Sequence, residues 1–341
     1  MDNILYVFVQ NDIDKANILE NTMFADLIDG KRNTVVIREN SKDILLDLLA
    51  RRKVQRILGI AINWFMGKRY CLGRLLAKQA NTYSHIYVLF LNTSFTTVRY
   101  PAKVLRSYQK KWPNIKYILY YPDAVCRGVS AYANYLREQD VFDLVYSFDV
   151  EDSKRYGMIF WNTPYSVKEE YLQIAVKEDL YFVGVGCERF SILCDIAKCG
   201  KYAGLKLHMD VVHELPPGNV QNIPDNIAIH SYENVIPYYQ SLQNTLKARC
   251  IIEIARPGQA GLTLRAYEAV VYNRKLLTNN KTILSFSFYD PRFMQYFEKV
   301  EDIDWDWVKE DIEVDYHYNG EFSPLRLMED IIKACEEQEN R

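Results

Sequence analysis

Hydrophobic residues along this chain gather in short unbroken runs separated by longer amphipathic stretches. Ile4–Val9, Thr34–Ile37, Arg56–Ile62, His85–Leu91, Tyr117–Tyr121 and Leu144–Phe148 are apolar and rich in β-branched or aromatic residues, which predicts strands. Asp14–Leu27 reads as a helix, and so does Ser41–Ala50, with Ser41 as cap. Strands that do not alternate apolar with polar positions are buried on both faces, so the pattern predicts a parallel sheet under two helical layers. Several runs end in polar residues, at Asn11-Asp12, Asn63, Asn92-Thr93-Ser94, Asp123 and Asp149, and such ends face the crevice of an open α/β sheet. Asp149 or Asp152 is expected to cap the helix that follows.

The same alternation restarts after Trp161–Ser166, a stretch with turn chemistry where the charge balance changes sign. Leu180–Gly186, Leu205–Val212 and Ile227–His230 predict strands, Val235–Lys247 a helix with Pro237 in its first turn, and Phe322–Glu337 a closing helix. The expected division is into two α/β domains, residues 1–165 and 166–341.

The most informative unit of the second half runs from Arg249 to Tyr289. Cys250–Ile254 is a buried strand by its composition, and a turn with Pro257, Gly258 and Gly261 follows. Thr263 stands where a helix N-cap belongs, Leu264, Tyr267, Val270 and Val271 repeat at helical spacing, and Lys275–Thr278 is the next strand. In such a βαβ unit the ligand lies at the strand's carboxyl end and the helix N-terminus. Exposed N–H groups and the helix dipole favour an anion there, and Arg256 and Arg265 flank the turn. Glu268, one turn further on, offers two acceptor oxygens that suit the vicinal diol of a ribose. Phosphate beside ribose points to a nucleotide. The plainer alternative is a surface ion-pair cluster on an ordinary helix.

The segment GQAGLTLRAYEAVVYNRKLLTNN, residues 258–280, resembles the donor-binding segment of bacterial GT-B glycosyltransferases of capsule and lipopolysaccharide assembly, in which a Gly-Leu-Thr-x-Arg-x-x-Glu run leads into a strand and a Thr-Asn pair. The resemblance implies two Rossmann-like domains facing across a cleft, with a terminal helix that often crosses back to the first. It implies that Glu268 holds the donor ribose and that Arg265 with Thr263 holds the diphosphate. Many enzymes of this fold carry a second glutamate eight residues before the ribose-binding one. Ala260 stands there in this chain, and Gln259 is the candidate to replace that contact.

Further candidates follow from position. Gly186 ends a predicted strand where a ligand can approach the backbone, and Arg189 stands at the start of the next helix, facing the same crevice. His230 and Tyr232, at another strand end, are candidates to flank the nucleotide base. Asp123, in Tyr-Tyr-Pro-Asp, is the candidate catalytic base, against the commoner role of such a residue in a turn.

Composition and charge add the acceptor side. Apolar content of 49% and charged content of 25% are those of a globular protein. The N-terminus shows no signal-peptide pattern and no run has transmembrane length, so a cytoplasmic protein is expected. Seven cysteines, an odd number, argue for reduced thiols, and Cys187, Cys194 and Cys199 lack zinc-knuckle spacing and read as packing residues of one helix. Residues 1–165 hold 23 Lys+Arg against 16 Asp+Glu, whereas 166–341 hold 19 against 28. Between Leu48 and Pro122 no acidic residue accompanies 14 basic ones, among them Arg51, Arg52, Lys53, Arg56, Arg106, Lys110 and Lys111. That half is expected to meet an anionic surface: membrane phospholipid at the inner face of the plasma membrane, the pyrophosphate of a lipid-linked acceptor, or nucleic acid. The resemblance favours the first two.

The expected activity is transfer of a sugar from a nucleotide-diphosphate donor to a glycan or lipid-linked glycan acceptor, without metal or cofactor, because no Asp-x-Asp motif appears and cationic groups stabilise the departing diphosphate. Inverting and retaining courses are both open. The alternatives are a nucleotide-sugar epimerase of the same fold and a non-catalytic RNA-binding module.

Overall fold

The computed structural model describes residues 3–11, 23–29, 32–39, 65, 67–92, 100–125, 140–213 and 223–340. The helix expected at Ser41–Ala50, the strand at Arg56–Ile62 and most of the helix at Asp14–Leu27 lie outside them, as do Arg51, Arg52, Lys53 and Arg56.

The described residues form two compact units, one of residues 1–166 with 322–341 and the other of residues 167–321. In the first unit, β1 (Ile4–Asn11), β2 (Thr34–Glu39), β3 (His85–Leu91), β4 (Ile115–Tyr121), β5 (Leu144–Ser147) and β6 (Ile159–Phe160) make a parallel sheet in the order β2-β1-β3-β4-β5-β6. Its central strands are buried along nearly their whole length, as their unbroken apolar runs require. The chain reverses direction across the sheet between β1 and β3, and that switch is where an α/β sheet opens a crevice.

Helix α1 (Ala25–Ile28) precedes β2, and α2 (Cys71–Gln79) and α3 (Ala102–Lys111) flank β3. The last of these buries Val104, Leu105 and Tyr108, and carries Lys110 and Lys111 at its C-terminal end, where cations oppose the dipole's negative pole. Helix α4 (Val150–Tyr156) is capped by Asp149, whose carboxylate accepts the Glu151 and Asp152 N–H groups, while Asp152 accepts from Val125 N–H at 2.6 Å. Of the two candidates Asp149 is thus the cap, and Asp152 braces the loop after β4.

The basic segment is compensated from outside its own limits. Arg106 pairs with Asp140, and Lys116 pairs with Glu339 at 2.7 Å. Lys111 lies over the Trp112 ring at 4.4 Å. The lack of acidic residues within the segment is therefore partly a matter of chain order, because strand pairing and the closing helix bring carboxylates to it.

The second unit has the order β12-β11-β10-β7-β8-β9, built from β7 (Glu178–Val185), β8 (Leu207–Val212), β9 (Ile227–His230), β10 (Ala248–Glu253), β11 (Lys275–Thr278) and β12 (Met294–Tyr296), all parallel. Side chains alternate faces along these strands. Leu180, Phe182, Met209, Val211, Cys250 and Ile252 pack on one face with α5 (Phe190–Tyr202). Helices α6 (Tyr238–Leu246) and α7 (Leu264–Val271) pack against β7, β10 and β11. Pro237 is the N-cap of α6 rather than a residue of its first turn.

Two expectations are corrected. The closing helix, α9 (Pro324–Glu339), belongs to the first unit, as the family resemblance implies, and not to the second domain, where a single division at residue 165 puts it. Tyr146 donates to Asp330 at 2.8 Å and Phe322 C=O accepts from Tyr165 N–H at 2.7 Å, bonds no reading of separate segments foresees. The acidic stretch Asp302–Asp315 is anchored to the second unit through two tryptophans. Around α8 (Trp305–Lys309), Trp305 packs on the core and Trp307 donates to Arg292 C=O at 3.0 Å, with Lys275 Nζ 4.8 Å from its ring. The three cysteines do not pack together in one helix: Cys187 precedes α5 and is exposed, as is Cys199, while Cys194 meets the core.

Candidate functional site

In the second unit the order of strands reverses between β7 and β10, and the carboxyl ends of these strands frame a cleft of about 540 Å³. Glu188, Arg189, Ile254, Arg256, Gln259 and the loop Asn279–Thr282 line it. The position is the one that crossover topology makes available to ligands, since loops leaving β7 and β10 part in opposite directions there.

Arg189 is placed by the short 3₁₀ turn Cys187–Arg189 that leads into α5. Its guanidinium donates to Val185 C=O through Nε at 2.9 Å and to Ile254 C=O through Nη1 at 2.8 Å, so one buried cation joins the ends of β7 and β10. The planar fork of an arginine suits this bridge, and lysine does not replace it. Gly186 follows β7. A Cβ there would come to 3.0 Å from Val211 and 3.1 Å from the His213 ring, so these side chains would have to shift to admit any other residue.

Arg256 opens the turn after β10, whose Gln259 N–H returns to Arg256 C=O at 3.1 Å. Among the described residues the Arg256 side chain has no hydrogen-bond or ion-pair partner. Gln259 Nε2 donates to Gly261 C=O at 2.8 Å, which closes the turn on itself. From the other side Asn279 Oδ1 accepts the Ala255 N–H at 2.7 Å, and Asn280 Nδ2 donates to Ala260 and Gly261 C=O at 3.3 and 3.2 Å. Two loops distant in sequence are thereby laced into one wall. The asparagines were visible as the end of the Thr-Asn-Asn run, but their partners were not.

Thr263, Arg265 and Glu268 are not among the residues lining the cleft. Thr263 is the N-cap of α7, accepting from Arg265 N–H at 3.3 Å. Its own N–H is taken by Glu253, a wholly buried residue that sequence reasoning passed over. The anion at the start of α7 is thus a carboxylate of the chain itself. Glu268 is also wholly buried, paired with Arg265 and accepting from Tyr238 Oη–H at 2.7 Å, while Arg265 Nη1 also donates to Thr245 Oγ1 at 3.0 Å. Burial raises the Glu268 carboxyl above its ordinary value, and the Arg265 charge opposes the rise.

His230 is held by Asp210, Nε2 to Oδ1 at 2.8 Å, and Tyr181 Oη–H donates to the same carboxylate. Tyr232 is exposed, with its hydroxyl 3.4 Å from Cys187 Sγ. The two base-flanking candidates therefore differ: Tyr232 is exposed, and His230 is held by Asp210. Burial pushes Asp210 up, but hydrogen bonds from His208, Tyr181 and His230 outweigh it and hold the carboxyl at about 2. The bond to Asp210 raises His208, against burial. The Asp210 contribution to stability is present above its unfolded value and is lost as pH falls through the folded one; that of His208 is present below its unfolded value and is lost as pH rises through its raised one. The melting temperature is accordingly expected to fall as pH rises above about 6.5 and through the raised His208 value, with a shallower slope in His208→Gln, as read by a fluorimetric melting series. Equal slopes in the two proteins would remove His208 from the account.

In the first unit Asp123 is exposed in the loop after β4, at the carboxyl end of that strand. Among the described residues no group of three or more His, Cys, Asp or Glu side chains is arranged to hold a metal ion. No helix among them is long and apolar enough to cross a membrane.

Neither a protein-family model nor a curated protein matches the chain. Solved structures do. An alpha-glucosyltransferase in complex with UDP and a 13-mer DNA containing a central A:G mismatch superposes with a TM-score of 0.51 at 10% identity, over 82% of this chain and 80% of that one. An alpha-glucosyltransferase in complex with UDP-glucose and DNA containing an abasic site gives 0.50 at 10% identity, over the same shares. The chain has the GT-B fold. Two parallel α/β units with six strands each are the architecture of GT-B glycosyltransferases, and in the second unit Arg256 lines the cleft between β7 and β10.

Proposed function

We propose that the chain is a glycosyltransferase whose second unit binds a nucleotide-diphosphate sugar in the cleft at the carboxyl ends of β7, β10 and β11. The observation that carries this reading is the cationic wall at the topological switch point, where Arg189, Arg256 and Lys281 stand against one acid, Glu188, among the described residues that line it. Such a wall suits a diphosphate leaving group without a metal ion. UDP is the first nucleotide to test, because it and UDP-glucose are bound by the glucosyltransferases that share the fold.

The acceptor in this reading is a glycan or lipid-linked glycan of bacterial surface polysaccharide assembly, met by the first unit, with the protein cytoplasmic and peripheral on the anionic inner face of the plasma membrane. What supports it is the resemblance of residues 258–280 and the basic composition of the first half. Asp123 is the candidate base for an inverting course. A second reading takes nucleic acid as acceptor, favoured by the DNA held in both superposed glucosyltransferases. It predicts DNA affinity that falls steeply with salt, whereas vesicle binding that needs anionic lipid supports the first.

UDP at about a hundredfold excess over its dissociation constant is expected to stabilise the protein by about 2.7 kcal/mol, seen as a melting temperature several degrees higher. Arg256→Ala should melt like the parent without ligand and lose most of that gain, since its side chain makes no bond that the fold needs. No stabilisation by any member of a panel of nucleoside diphosphates and nucleotide sugars would end the proposal.

A further inference from the structure

We infer that Glu253 is the positioning residue of the donor cleft, a buried carboxylate that clamps both of its loops; the inference rests on the function proposed above. Glu253 ends β10 and is wholly buried. One oxygen accepts the Thr263 N–H, and the other accepts Thr278 Oγ1–H at 2.7 Å. Thr278 Oγ1 in turn accepts the Asn280 N–H at 3.0 Å, and Asn280 reaches back to Ala260 and Gly261. The loop from Ile254 to Thr263 and the loop from Asn279 to Thr282 are therefore both tied to one carboxylate, and these loops carry most of the cleft lining.

A buried carboxylate is costly to desolvate, and burial raises the Glu253 carboxyl above its ordinary value. An apolar residue at the end of a buried strand would fold without that cost, so the carboxyl group serves something other than packing. Two consequences follow from its position. It fills the positive end of α7, which leaves the incoming anion to Arg189, Arg256 and Lys281. It also fixes the backbone from which Arg256 and Gln259 project. Glu253 touches no ligand in this arrangement, because it does not line the cleft; it acts through the loops.

The test uses the full chain and UDP, followed by titration calorimetry, with amide hydrogen exchange in the free protein. Thr278→Val cuts the clamp with no change of charge, and Glu253→Gln keeps the shape while losing one acceptor. Both variants are expected to bind UDP about tenfold or more weakly, the loss associated with a hydrogen bond to a charged group, and the double variant is expected to be little worse than either alone. Amides of Ala255, Thr263 and Asn280 should exchange faster in both. A merely structural role would lower the melting temperature and leave the affinity of the folded protein unchanged. UDP affinity in Thr278→Val equal to the parent's would overturn the inference, as would tighter binding in Glu253→Gln, which would make the carboxylate a mere charge. Failure of the parent itself to bind UDP or any other nucleoside diphosphate would sink the proposed function instead; exchange at the three amides would still decide the clamp.

Discussion

Glu268→Ala is expected to destabilise the second unit by about 3–5 kcal/mol, the usual cost of removing one partner of a buried ion pair, and so to lower its melting temperature by on the order of 10 °C. The carboxylate is wholly buried against Arg265, whose side chain is itself 14% exposed. Without it the guanidinium retains Thr245, and the Tyr238 hydroxyl loses its acceptor. Glu268→Gln preserves the volume and an acceptor for Tyr238 and should lose less than half as much. Urea denaturation of the three proteins measures the series. A Glu268→Ala variant as stable as the parent would mean that the pair is solvated. The same substitution affects any ribose contact, so nucleotide affinity must be read on protein that is fully folded at the temperature of measurement.

Arg189→Ala is the second large effect. The substitution leaves the Val185 and Ile254 carbonyls without the donor that joins them, and removes a cation from the cleft wall. A loss of about 2–4 kcal/mol in stability is expected from the unsatisfied groups. On the proposed function UDP affinity falls about a hundredfold, since charge and loop geometry go together. Arg189→Lys restores the charge but not the fork, so it should recover part of the affinity and little of the stability. Equal recovery of both would show that the bridge between β7 and β10 is not needed. Arg256→Ala provides the contrast, with affinity lost and stability kept.

The strands were legible because a doubly covered parallel sheet leaves an unmistakable trace. β3, β4 and β7 coincide with apolar runs to within a few residues, and the Thr263 cap of α7 follows from residue type alone. The turn after β10 was legible in part. Arg189, Arg256 and Gln259 come together in one cleft, although Arg189 and Arg256 are 67 positions apart, because both follow strands that meet at the switch point. Arg265 and Glu268, at helical spacing on the same turn of α7, pair with each other rather than lining the cleft. Helical periodicity relates neighbours on one helix and carries no information about α6, which supplies Tyr238 and Thr245. His230 was a fair candidate by its place at a strand end, yet Asp210 on the adjacent strand claims it.

The residues by themselves determined the α/β class, the parallel strands, the cap of α7 and a cationic turn fit for an anion, because each is a local matter of periodicity, residue type or charge. Only the tertiary structure decided that Glu253 occupies the start of α7 and that Asn279 and Asn280 form a wall with the turn after β10. Those outcomes depend on which strands become neighbours. Strand order is chosen by the burial of whole faces, and no single segment records it.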